Sequence, residues 1–90
     1  MWKERRIVPS VVPRELEVED GTEVDCEAGE QIVVEGDVCC EGSCRFLKSV
    51  KAESFEAEGG TVDIVGDLRI SRDICVDDGS LTVDGNLQAR

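Results

Sequence analysis

Five cysteines and the absence of any histidine set the chemistry open to this 90-residue chain. Cys39, Cys40 and Cys44 fall within six residues, with Cys26 and Cys75 standing apart. Clustered thiolates hold soft or borderline metals, or cycle as a redox pair. The spacing is not Cys-x-x-Cys, however, and no imidazole can complete a ligand set. An odd number of cysteines without a secretion signal also argues against a disulfide framework. Buried free cysteine behaves as a small hydrophobe, and that is the reading taken here. No metal or other cofactor is expected, with Cys39, Cys40 and Cys44 as the alternative metal or redox set.

Without histidine, Ser-His-Asp and Cys-His catalysis are closed. The 21 carboxylates are scattered rather than paired. Asp77-Asp78-Gly79 and Glu19-Asp20-Gly21 offer oxygens to a hard cation, but neither fits a known calcium loop, and both read as acidic turns. No catalytic residue is assigned, and the chain is not expected to be an enzyme.

The net charge of −11 is unevenly spread. Lys3, Arg5, Arg6 and Arg14 against Glu4 make residues 1–14 basic, whereas residues 15–90 carry six basic and twenty acidic side chains. Such an acidic body is unsuited to nucleic acid, whose binding depends on neutralising phosphates. Trp2, Lys3, Arg5 and Arg6 could give the leader a weak membrane-surface contact. No apolar run approaches the ~20 residues of a membrane span, and a cytoplasmic location is expected.

The elements that must position these groups are short strands. From Leu16 onward, pairs of apolar residues two apart recur about every six residues, among them Ile32/Val34, Val62/Ile64 and Leu81/Val83. Alternation marks a strand with one buried face, and no segment keeps the three-and-four spacing of a helix. Every third pair falls into one column. Ile32, Val50, Leu68 and Leu87 form the first, Leu16, Val38, Phe55 and Ile74 the second, and Val24, Cys44, Val62 and Leu81 the third. All nine glycines lie between pairs, where a chain turns corners. The expected fold is all-β, a three-faced parallel β-helix (β-solenoid) of about four coils of 17–20 residues, right-handed like most parallel crossovers. Pro9 and Pro13 place residues 1–15 as an N-terminal tail or edge segment, with the solenoid over 16–90.

Val34-Glu35-Gly36-Asp37-Val38, Ile64-Val65-Gly66-Asp67-Leu68 and Val83-Asp84-Gly85-Asn86-Leu87 resemble the repeat of bactofilins. These are polymer-forming bacterial cytoskeletal proteins built on a right-handed three-faced β-helix. The resemblance spans roughly residues 16–90. It implies a non-enzymatic structural protein that associates end to end with copies of itself, through terminal coils and without nucleotide. Independently, the pattern runs unbroken into Ala89 and Arg90, so Leu81, Val83, Leu87 and Ala89 are expected to line an open, self-associating end. The alternatives are a cysteine-based metal- or redox-responsive module, or a β-helix appendage of a larger complex, resembling the Gly-rich solenoid domain of glutamate synthase.

Overall fold

The structure, a computed structural model, describes residues 3–89. It is all-β, with ten strands in one parallel sheet wound into a solenoid of about four turns. Three stacked faces make the prism. The first stacks β2 (Val11–Val12), β5 (Gln31–Val34), the opening of β8 (Ser49–Ile64), the opening of β9 (Leu68–Val83) and β10 (Leu87–Gln88). The second stacks β3 (Leu16–Val18), β6 (Asp37–Glu41) and the middles of β8 and β9. The third stacks β1 (Glu4–Val8), β4 (Thr22–Cys26), β7 (Cys44–Phe46) and the ends of β8 and β9. The extents of 29 × 28 × 24 Å make a squat prism rather than a rod.

The alternating sequence pattern produces this directly, because period-two apolar residues point to one side of each short strand. Ile32, Val50, Leu68 and Leu87 pile in one file. Leu16, Val38, Phe55 and Ile74 pile in a second. The third file differs from expectation by one position. Cys44, Val62 and Leu81 stack on Thr22, whereas Val24 heads a separate file with Phe46, Ile64 and Val83. Thr22 is buried at an inward position, and a reading that counts only apolar residues passes over it. Phe46 and Phe55, the two phenylalanines, meet edge to face with centroids 5.9 Å apart at the centre of the lumen.

Residues 3–15 are ordered into the stack. β1 pairs along its length with β4, and β2 pairs with β5, so this segment forms edge strands of a first coil. Pro9 sits between the two strands and Pro13 after them, where no ladder needs an N–H. The corner at Leu47-Lys48 turns without glycine and without positive φ. One extra residue in β9 shifts the register between Ala52 and Ser54, so the offset between stacked residues steps from 18 before it to 19 after it.

The corner at Gly60 depends on glycine. Gly60 has φ +104, and a Cβ there would lie 2.6 Å from the backbone carbon of Gly42 in the coil beside it. In the next coil, Asp78 takes the left-handed φ of 54 at the position stacked on Gly59, which has φ 59. Gly60→Ala therefore meets both an unfavourable φ and a backbone clash. It should lower stability by about 1–3 kcal/mol in urea unfolding. Gly29→Ala, with open space around its Cβ, should cost less.

Candidate functional site

Stacking puts every outward side chain over its equivalent one coil away, so each face acquires a chemistry of its own. The first face is neutral to basic, carrying Val11, Val33, Lys51, Arg69 and Gln88 in register. The third carries Arg5, Glu23, Arg45 and Asp63 in register, a ladder of alternating sign. Arg45 lies 3.7 Å from both Glu23 and Asp63, and Arg5 donates to Asp25 at 3.0 Å. These pairs are partly exposed, so each contributes at most about 1 kcal/mol.

The second face is acidic. Glu41, Glu58 and Asp77 sit in register, beside the file of Glu17, Cys39, Glu56 and Cys75. Like charges directly opposite one another destabilise a sheet. The Glu15 carboxyl lies at the edge of this face. It is held above its ordinary 4.5, first by the hydrogen bond it shares with Glu17, then by slight desolvation and by the charges of Glu17, Asp37 and Glu56.

The cysteines divide by the parity of the strand. Cys39 and Cys40 are neighbours in β6 and point to opposite sides, Cys39 half-buried on the acidic face and Cys40 fully buried in the lumen. Cys44, across the Glu41-Gly42-Ser43 corner, also points inward, and its Sγ lies 3.4 Å from the carbonyl of Glu19. Cys40 and Cys44 come together, while Cys39 is on the other side of the backbone from both. Among the described residues, no group of three or more potential ligands is arranged to hold a metal ion. The Cys40 thiol is pushed up, first by its hydrogen bond with Cys44 and then by burial. Burial and the carboxylates of Glu56, Glu15, Glu17 and Glu41 raise Cys39. Cys26 points its Sγ at the carbonyl of Ala28, 2.7 Å away. Cys75 alone is exposed.

The two ends of the stack differ more than any two faces. At the N-terminal end the positions in register with Thr22 and Val24 are Glu4 and Arg6, both exposed. Arg6 reaches across to donate from Nη1 to the Glu17 carbonyl at 2.7 Å. At the C-terminal end the same files finish in apolar side chains. Ile74, Val76, Leu81 and Val83 are only partly buried, and Leu87 is 51 % exposed. Ala89 is exposed as well. Of the basic leader, Lys3 bonds through its backbone N–H to the Gly21 carbonyl, Arg5 bonds to Asp25 in the next coil, and Arg6 bonds to Glu17 within its own. Trp2, the remaining member of the surface contact expected there, lies outside the described residues.

Corner side chains knit successive coils. Asp20 accepts from the N–H of Ser43 at 2.7 Å, Ser49 from that of Asp67 at 3.0 Å, and Asp67 from that of Asn86 at 2.8 Å. Among the described residues, no helix is long and apolar enough to cross a membrane. Compared with family models, curated proteins and solved structures, the chain matches none.

Burial orders the thiols. In a native-state titration with a disulfide reagent, Cys75 should react first and Cys39 more slowly, while Cys26, Cys40 and Cys44 should wait for unfolding. The raised Glu15 also has a signed consequence. The folded chain holds that proton more tightly than the unfolded chain, so its contribution favours folding as pH falls through the raised value towards 4.5. It disfavours folding once pH climbs above that value. Replacing Glu15 by Gln should therefore raise the thermal midpoint at neutral pH and flatten its increase on mild acidification.

Proposed function

We propose that this protein is a non-enzymatic, bactofilin-like structural module of the cytoplasm, whose copies associate end to end through the last coil of the solenoid. The observation that carries the reading is the contrast between the ends. Ile74, Val76, Leu81, Val83 and Leu87 leave five lumen files partly open on one side. Each further coil covering them would remove apolar surface from water at about 25 cal/mol per Å². The backbone edge supports the same reading. Beyond Leu68 and Arg69, which pair with β10, the outer edge of β9 has no partner strand among the described residues. Such an edge is a template for another chain.

The chemistry of the opposite end bears on how copies meet. Placing Glu4 and Arg6 of one copy over the Leu81 and Val83 files of another would desolvate two charges against apolar side chains, which is costly. Two C-terminal ends meeting about a two-fold axis avoid that cost and give a closed pair. This geometry makes the dimer the unit of assembly, with longer oligomers requiring contacts beyond the last coil.

Light scattering coupled to size exclusion tests the reading. The chain should elute as a dimer or larger species whose mass falls towards the monomer on dilution. Leu87→Lys should shift it to monomer at all concentrations while leaving the circular dichroism spectrum unchanged, because Leu87 is half exposed already. A chain that is monomeric at millimolar concentration, or oligomers indifferent to Leu87→Lys, would sink the proposal.

A further inference from the structure

The three faces stop at different heights at the C-terminal end, and this decides how two copies can meet there. Strands follow one another around the axis in the order third, first, second, each about a third of the ~4.8 Å coil spacing further along. β10 on the first face is the last strand described and reaches furthest. The third-face stretch of β9 stands just behind it, and the second-face stretch of β9 stands furthest back. The N–H of Asp84 points back to the Ile64 carbonyl, whereas that of Leu68 points ahead to the Asn86 carbonyl. Alternate residues of a parallel strand bond to opposite neighbours, so inward residues bond ahead and outward ones behind. The free N–H and C=O groups of the last edges therefore belong to Ile74, Val76, Leu81, Val83 and Leu87, the same residues whose apolar side chains are incompletely covered.

We propose, resting on the end-to-end association above, that the two-fold axis of the pair passes through Thr82 at the centre of the third face. β9 then pairs with β9 of the other copy on that face, and β10 of each copy pairs with the second-face stretch of β9 of the other. An axis normal to the third face exchanges the other two faces. The edge that reaches furthest, on the first face, then lies against the one furthest back, on the second, and the third face meets itself at the intermediate height. All three edges close at one strand spacing. An axis normal to the first face would leave a strand-wide gap on the other two faces, and one normal to the second would drive them into each other. Thr82, Cys75 and Gln88 occupy the central outward files of their faces, so Thr82 faces its own equivalent and Gln88 faces Cys75 of the other copy. In that register Leu81 meets Val83, and Leu87 meets Val76, each pair apolar and inside a continuous lumen. Charge agrees with it. Ser80 and Thr82 are neutral, and Asp77 falls opposite Asn86, whereas two second faces brought together would set Asp73 against Asp77.

Disulfide trapping of the full chain with glutathione disulfide tests the axis, each cross-link reducing one oxidant molecule to two thiols. Residues opposite each other in a non-hydrogen-bonded antiparallel pair have Cα atoms about 4.5 Å apart, within the span of a disulfide. Gln88→Cys should convert most of the protein to a covalent dimer, joined from position 88 of each copy to Cys75 of the other, and adding Cys75→Ser should abolish it. Thr82→Cys with Cys75→Ser should restore a dimer. Ser80→Cys with Cys75→Ser should not, because the symmetry sets the two substituted positions four residues, about 13 Å, apart along the strand. A covalent dimer of Gln88→Cys with Cys75→Ser would overturn the assignment in favour of an axis through the first face. A Cys75-linked dimer of the unsubstituted chain would overturn it in favour of the second. Dimers seen by light scattering that neither Gln88→Cys nor Thr82→Cys traps would overturn the axis alone. A chain monomeric by light scattering at every concentration would overturn it together with the end-to-end association.

Discussion

The constraint on which this structure depends is the in-register stacking of parallel coils. The stretch of strand on any one face, two to five residues, is too short to be stable alone, and it gains its hydrogen bonds and its buried neighbours only from the coils on either side. Stability is therefore shared along the axis. It is greatest in the middle, where Ile32, Val50, Val62 and Ile64 are fully buried, and falls towards the last coil, where Ile74 and Leu81 are only partly covered.

The same stacking dictates the surface. An outward residue cannot avoid its equivalents one coil away, so a bias in sequence becomes a stripe in space. On the third face the bias alternates in sign, and Arg45 sits between Glu23 and Asp63. On the second face it does not, and Glu41, Glu58 and Asp77 stand in line with their charges unrelieved. A solenoid able to spread like charges apart would place such residues at different heights around the axis. This one concentrates them on one face.

The two ends raise separate questions of partnership because different forces govern them. At the C-terminal end the partly covered apolar files make the hydrophobic effect the governing force. At the N-terminal end the charges of Glu4 and Arg6 stand over the same files, and solvation of charge governs instead. The chain is thus polar along its axis, although its repeat is not.

Much of the fold is legible in the residues. The doublets from Leu16 to Ala89 specify strands, their spacing specifies three faces, and two of the three expected files stand as read. The third was misread because Thr22 is polar yet points inward. Periodicity in hydropathy cannot detect such a position, and only its register with Cys44 shows it. The ordering of Glu4–Val8 was masked by charge, since Glu4 and Arg6 occupy inward positions at an end where there is no lumen left to fill. That Cys39 and Cys40 point to opposite sides follows from strand parity and could be read in advance. That Cys40 and Cys44 meet across a corner could not.

What the sequence by itself determined is local: which residues alternate, where the chain turns, and how long each coil is. These follow from short-range sterics and from the side preference of each residue in a strand. What the tertiary structure decided is vertical. It set which residue lies over which, that like charges align on one face, and that the files of Thr22 and Val24 finish in charged side chains at one end and apolar ones at the other. A periodic pattern fixes spacing but not register against a neighbour, because register is chosen by the summed fit of whole coils, polar exceptions such as Thr22 and the extra residue of β9 included.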